Sequence, residues 1–482
     1  MEDFDTATIG KKSAHGILVL ISRTLVLNII SFASFLLIST ELPARDLGIY
    51  TAVIAIQRVI SFFTDFGLGA SLVQKKEKLE QADLTTSFTI QSSLTFFVFL
   101  IVFVLQSVFV SFFKLNQDAL RLLLVLVFSI FLSSFKVIPS ILLERNIKFQ
   151  RLVIPQIAES LTFNVILIVL VLTRHGLDSF TWAFLVSSLV GIPFYYYVSP
   201  WKLSFGINRQ ALHHLKFGAQ FQLKNILATI KDDLLTVILT KFLSFTEIGY
   251  IGFAQRLAFF VFRYVVDSVT KVTFAAYARI QDDTISLRRA IEKSLFFVSA
   301  AMFPILFGII ITAPYIINYF PKWHNKWEPA LISLVFFCLN ALVSSISGIL
   351  VNVLDSTGKV KTTLKLMVLW TILTWVLTPI LIKMYGFNGV SIASFLVTLT
   401  ICLTVYLVRK IVVFNLIGSI YKSFLSSLVM SAIVYTSAKL FVHDFTSLLL
   451  IAVFGGIVYL TGIYLSAKNE IKNGLQVLYV KK

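Results

Sequence analysis

Thr51–Phe63 reads TAVIAIQRVISFF, and Ile251–Phe260 reads IGFAQRLAFF. Each is an apolar run broken by a Gln-Arg pair, Gln57–Arg58 in the first and Gln255–Arg256 in the second. An arginine at the centre of a lipid-embedded helix costs about 2.5–3.5 kcal/mol on insertion scales. Two such pairs in one chain need a reason. Their flanks also match. DLGIY (Asp46–Tyr50) precedes the first pair and EIGYI (Glu247–Ile251) overlaps the start of the second run. From glycine to arginine the gap is ten residues in one copy and seven in the other, a slip of about one helical turn.

The surroundings of both stretches are those of an integral membrane protein. The chain has 482 residues, 57% hydrophobic and only 14% charged, with a mean hydropathy of +0.87. Soluble domains are near half apolar and about a quarter charged. Fourteen apolar stretches of membrane-spanning length begin near residues 14, 47, 85, 119, 152, 178, 219, 247, 290, 328, 362, 386, 421 and 447. Strict alternation of polar and apolar residues is absent, which argues against a lipid-facing barrel. Ile17–Ile38 is too long for the core of a cleaved leader and reads as the first span. Cys338 and Cys402 fall inside apolar spans and are expected to be packed thiols, not a disulfide.

The net charge of +18 does not point to nucleic acid, because the charge is distributed by side of the membrane. If the N-terminus is cytoplasmic and the spans alternate, the inner segments hold roughly three times the Lys and Arg of the outer ones. Both termini are then expected in the cytoplasm. No loop exceeds about twenty residues. The longest breaks are 200–216 and 277–289, so there is no room for a soluble catalytic domain. The first break divides the chain. Residues 1–200 hold spans one to six, 201–416 hold spans seven to twelve, and 417–482 hold the last two. Repeated halves are a common build for secondary transporters, with the site at their interface. Pro139, Pro155, Pro193, Pro304, Pro314 and Pro379 lie in or beside spans. They fit either tolerated kinks or helices that bend as a cavity opens.

Seven cations fall within the proposed spans: Arg23, Arg58, Lys136, Lys224, Lys231, Arg256 and Arg263. Lys224 and Lys231 are seven residues apart, as are Arg256 and Arg263, so each pair shares a helix face. Arg58 and Asp65 have the same spacing, but about 10 Å of helical rise keeps them from pairing. Lys136 and Lys224, near span ends, suit structural pairing with acids such as Glu159. The deeper arginines suit a water-filled cavity that receives an anion, because the guanidinium fork fits phosphate oxygens and stays charged. Asp65, Asp233 and Asp267 are candidates for ion coupling or gating, or fixed partners of these cations. A voltage sensor would need arginines at three-residue steps on one helix, which are absent. The six histidines lie at or near span ends, no His/Cys/Asp cluster has metal-ligand spacing, and no Gly-rich phosphate loop is present. The chain is expected to be neither an enzyme nor dependent on a cofactor or metal.

TELPARDLGIYTAVIAIQRVISFFTDFGLGASLVQKK (Thr40–Lys76) resembles the N-terminal signature of the Wzx-like (O-antigen) polysaccharide flippases, the polysaccharide-transporter branch of the multidrug/oligosaccharidyl-lipid/polysaccharide exporter superfamily. DDLLTVILTKFLSFTEIGYIGFAQRL, PKWHNKWEPA and LDSTGKVKTTLK follow in the family's order. One departure is Pro321-Lys322-Trp323, where Gly-Glu-x-Trp is frequent. The resemblance implies an all-α polytopic membrane protein of about fourteen transmembrane helices, with two six-helix bundles in a V and two C-terminal helices. It implies a bacterial cytoplasmic-membrane flippase. The substrate would be a polyprenyl-diphosphate-linked oligosaccharide for O-antigen, capsule or exopolysaccharide, working beside a polymerase and glycosyltransferases. The related lipid II flippases carry functional arginines in spans one, two and eight, where Arg23, Arg58 and Arg256 stand here. Arg263 and Lys231 join that set by spacing alone. The alternatives are a multidrug or organic-cation exporter of the same superfamily, and a non-transporting scaffold of a glycan assembly complex. A cation exporter calls for exposed intramembrane carboxylates, whereas here cations outnumber acids.

Overall fold

The computed structural model describes residues 26–64, 72, 79–146, 148–208 and 233–479. Every regular element among them is a helix. Two compact units divide the chain between Gly249 and Tyr250, inside the EIGYI motif.

The first unit contains α1 (Val26–Glu41), α2 (Ala44–Thr64), α3 (Gln81–Val104), α4 (Gln106–Phe113), α5 (Gln117–Arg145), α6 (Phe149–Leu172), α7 (Asp178–Val198) and α8 (Leu235–Leu239). α5 is its centre and packs against α2, α3 and α7. Leu122, Leu123, Leu126, Val127, Ile138 and Ile141 are all buried on it, and their spacing puts apolar side chains on more than one face. Asn116 starts α5 by accepting the Ala119 amide at 3.0 Å. After α7, residues 201–208 run beside the first turns of α3. The Thr86 and Thr89 hydroxyls there accept the amides of Asn208 and Gly206 at 2.9 and 3.0 Å. These two bonds satisfy backbone donors that lack a helical partner.

The second unit holds most of α9 (Phe245–Arg279), then α10 (Thr284–Tyr319), α11 (Leu331–Ser356), α12 (Val360–Tyr385), α13 (Asn388–Thr398), α14 (Ile401–Arg409), α15 (Leu416–Phe441) and α16 (Phe445–Tyr479). α10 packs against α11 and α15. Ser419, Ser423, Ser427 and Ser431 are buried at four-residue steps along α15, and such a small-residue face lets helices approach closely. The two C-terminal helices are built onto α10 through a core that includes Phe296, Met430, Val434 and Tyr459. The expected break at 277–289 is only a tight turn. α9 continues to Arg279, and Asp283 caps α10 by accepting the amides of Ile285 and Ser286. The Ser286 hydroxyl and amide and the Ile285 amide hold that carboxyl below the usual range.

Nine of these described helices, and the stretch Asn388–Arg409 that joins α13 and α14, are long and apolar enough to cross a membrane, and each of these ten stands where a span is expected. The first expected span is described from Val26, and the seventh, from about 219, falls mostly outside the described residues. α2 and α9 occupy the second and eighth places but are not among the ten. They are the two helices that carry the Gln-Arg pairs. All six prolines sit inside helices that continue through them. Cys338 is buried as expected, but Cys402 is exposed on the outside of α14, and both are free.

A second pair of matching features stands at two helix corners. Between α6 and α7, Gly176 has φ +58°; between α12 and α13, Gly386 has φ +60°. In each case the next helix begins two residues later, at Asp178 and at Asn388. A left-handed residue stops a helix, and glycine adopts that conformation without strain. The tyrosines of the two opening motifs pack on these corners. Tyr50 stacks on Phe180 at 4.1 Å, and Tyr250 lies against Phe387 at 5.4 Å.

Candidate functional site: the charged helices α2 and α9

α2 buries Ala52, Val53 and Ile56 and turns Arg58 outward. Its Gln57 donates to the Ser61 hydroxyl one turn on, at 2.8 Å, so the amide finds a partner within the helix. Arg58 reaches across to Asp233, with Nη1 donating to Oδ1 at 3.2 Å. The arginine side chain is 56% exposed and the aspartate 19%. Asp233 lies just before α8, which packs on α2. The sequence placed Asp233 only among several possible partners. The two residues are separated by 175 positions, and no spacing rule links them.

α9 is amphipathic in the same sense. Ile248, Phe253, Ala254, Ala258, Val266 and Tyr277 are buried. Arg256, Arg263, Asp267 and Lys271 are exposed, and their spacing places them along one stripe of the helix. Asp267 stands one turn from Arg263 and one turn from Lys271. The stripe is cationic overall, with a single acid. Among the described candidates, Arg58 and Asp233 come together in the first unit, and Arg256, Arg263 and Asp267 share a helix beyond Gly249. Arg23, Lys231 and Asp65 lie outside the described residues.

Where α9 begins, the repeated glycines meet. A Cβ on Gly48 would lie 1.6 Å from the Phe245 carbonyl oxygen, and one on Gly249 would lie 1.9 Å from the Ala44 oxygen. DLGIY and EIGYI are therefore the two sides of one backbone-to-backbone crossing. Sequence comparison recognises the motifs but not that they touch.

Beyond that crossing, the aromatic residues of α9 pack on PKWHNKWEPA. Trp323 and Trp327 are buried, Phe253 stacks on Trp327 at 4.1 Å, and Trp323 stands edge-on to Phe253 at 5.0 Å. In the sequence this stretch stands out only for its family resemblance, and the structure makes its tryptophans core. Lys322 and Asn325 adopt left-handed backbone to make the turn.

Lys136 belongs to a different class of intramembrane charge. Its ammonium meets Glu159 at 2.6 Å with both side chains largely covered, and Gly191 on α7 leaves room for the Glu159 carboxylate. This pair joins α5 and α6 and has the geometry expected of a structural bridge. Breaking a buried pair strands the other charge, at about 3–5 kcal/mol, whereas replacing both residues by apolar ones is often neutral. Glu159→Ala should therefore lower membrane abundance, and Lys136→Met/Glu159→Met should restore it. Equal loss in the single and double variants would show that the pair is more than a bridge.

The family described as polysaccharide biosynthesis protein matches residues 42–332, which include both glycine motifs and both Gln-Arg pairs. This chain belongs to that family. The lipopolysaccharide biosynthesis protein WzxC of Escherichia coli K12 is 25% identical over 374 residues, covering 73% of this chain and 72% of its own. An uncharacterized membrane protein in the cps region of Klebsiella pneumoniae is 23% identical, covering 70% of each chain. Among solved structures, the lipid II flippase MurJ in an inward closed conformation superposes with a TM-score of 0.75. It is 18% identical and covers 94% of this chain and 100% of MurJ. An inward-facing multidrug resistance MATE transporter of the MOP superfamily gives 0.61, at 13% identity over 82% of this chain and 98% of the transporter. The family member described here thus has the fold shared by these proteins: an all-helical, multi-pass membrane architecture.

Proposed function

We propose that the protein is a flippase moving polyprenyl-diphosphate-linked oligosaccharide repeat units across the bacterial cytoplasmic membrane by alternating access, for O-antigen, capsule or exopolysaccharide synthesis. The observation that carries this reading is the placement of exposed arginines on the two least lipid-like helices of a polysaccharide biosynthesis family member. The WzxC and MurJ likenesses support it. Arg58, Arg256 and Arg263 bind the diphosphate, with Arg23 and Lys231 in the same role. Asp65, Asp233 and Asp267 serve coupling or gating. Each half of the chain, 1–200 and 201–416, contributes one Gln-Arg pair, and 417–482 adds the last two helices. A polymerase and glycosyltransferases are the partners. A cation exporter is disfavoured by the cationic stripe of α9.

The test pairs surface glycan with membrane abundance. Arg256→Ala should abolish export at full abundance, and Arg256→Lys should keep partial function, because charge persists while the bidentate fork is lost. Arg58→Ala alone removes one ion-pair partner of Asp233, so Arg58→Ala/Asp233→Ala is measured beside it to separate folding from transport; it should be abundant and inactive. Full surface glycan in both Ala backgrounds would end the diphosphate reading.

Orientation has its own check. Maleimide applied outside intact cells should label Asn325→Cys and miss Gln210→Cys, in a background where the exposed Cys402 is first replaced. Labelling at position 210 would overturn the cytoplasmic placement of the termini.

A further inference from the structure

α9 divides its aromatic residues between two faces. Phe253 packs on Trp327, and Phe259 lies 6.3 Å from the buried Phe337 of α11. Phe260 and Tyr264 stand apart from these. They are one turn from each other, partly covered, and edge-on with ring centroids 4.6 Å apart. Along the charged stripe, Phe260 lies between Arg256 and Arg263, and Tyr264 lies at its edge between Arg263 and Asp267. A stripe with four charged residues is costly against lipid, so these two rings share the polar space that the charges face. The Tyr264 hydroxyl is within electrostatic reach of Arg263 and Arg256. It has no hydrogen-bond partner among the described residues. We propose that Tyr264, braced by Phe260, is a specificity-determining sugar platform: its ring takes the apolar face of the first sugar of the repeat unit, beside the diphosphate. This rests on the reading of Arg256 and Arg263 as diphosphate ligands.

A pyranose has a face of C–H bonds polarised by its oxygens. The face of an aromatic ring is electron-rich, so the two attract, and weak C–H contacts add direction. The first sugar is bonded directly to the second phosphate, so its ring must sit beside the cation that holds that phosphate. Tyr264 follows Arg263 in the chain, about 1.5 Å further along the helix axis. Phe260 limits the freedom of the tyrosine ring, so less entropy is lost when the sugar binds. Stacking reads the face of a sugar and not its pattern of hydroxyls. The contact therefore separates a loaded carrier from a bare one without choosing among sugars. A diphosphate lipid with no sugar gains the arginine contacts alone.

The experiment uses the purified full-length protein in detergent, with binding read by native mass spectrometry. One probe is farnesyl-diphosphoryl-N-acetylglucosamine. The other is farnesyl diphosphate methylated on its terminal phosphate, which has the same two charges and no sugar. The wild type should bind the sugar probe about five-fold more tightly, mid-range for an aromatic contact. Tyr264→Leu keeps apolar bulk but has no ring face. It should remove that preference and leave the methyl probe unchanged. Tyr264→Met should do the same and serves if the Leu variant does not purify as one species. Tyr264→Phe should keep the preference. Phe274→Leu alters an exposed ring about 15 Å further along α9 and should change neither probe. Equal binding of the two probes by the wild type overturns the proposal, as does a full preference in Tyr264→Leu or an equal loss of both probes there. The diphosphate reading is tested apart, because Arg256→Ala/Arg263→Ala should weaken both probes alike. If that double variant binds both as the wild type does, the reading of these arginines falls, and this inference with it.

Discussion

Gly48→Val and Gly249→Val should each remove the protein from the membrane fraction, whereas Gly308→Ala should leave its abundance unchanged or raised. The difference lies in what a new Cβ meets. At Gly48 it would lie 1.6 Å from the Phe245 oxygen and 2.7 Å from the Gly249 nitrogen. At Gly249 it would lie 1.9 Å from the Ala44 oxygen. These neighbours are backbone, so no side chain can swing aside. Either substitution forces α2 and the first turn of α9 apart. Overpacking a well-formed interface costs about 1–3 kcal/mol, and a branched side chain here also removes the Cα–H···O contacts that such a crossing allows. Gly48→Ala should be intermediate. At Gly308, in the middle of α10, a Cβ meets nothing within 4 Å, and alanine gains about 1 kcal/mol of helix propensity over glycine. Immunoblotting of membranes and thermal melting in detergent read both effects. Wild-type abundance and melting in both Val variants would show that the crossing contributes nothing to the fold.

The second large effect belongs to the turn at 321–330. Trp327→Ala should lower the melting temperature more than Trp182→Ala. Trp327 has no exposed surface, stacks on Phe253 with rings 6° from parallel, and meets Tyr250 edge-on at 6.2 Å. Truncating a buried tryptophan costs about 3–5 kcal/mol, because the cavity adds to the lost transfer energy. Trp182 lies on α7 with half its surface exposed, so its loss leaves no cavity. Trp327→Phe should recover much of the loss by refilling the stack. Equal melting temperatures for the two Ala variants would show that the Trp327 stack contributes nothing special to the fold.

Much of the architecture was legible because it depends on composition and period. Apolar stretches of the right length predicted the ten qualifying spans, and the repeated Gly and Gln-Arg motifs picked out α2 and α9. What was not legible involved contacts between distant segments. HGLDSF and YGFNGV share little beyond their glycine, yet both corners use a left-handed glycine followed by a new helix. PKWHNKWEPA stood out only as a family motif, polar between its two tryptophans. Nothing local said that both rings turn inward onto Phe253.

The sequence by itself determined that this is a multi-pass helical membrane protein of the polysaccharide biosynthesis family, with seven cations inside five of its expected spans. Hydropathy and charge counts need no partner to be read. The tertiary structure decided where those cations stand. It paired Lys136 with Glu159 and Arg58 with Asp233, and it put Arg256 and Arg263 on the exposed stripe of α9. It also turned two similar motifs into one crossing of α2 and α9. The physical reason is the same throughout. Helix periodicity fixes only which residues share a face of one helix, whereas an ion pair or a glycine crossing depends on which two faces the folded chain brings within a few ångströms.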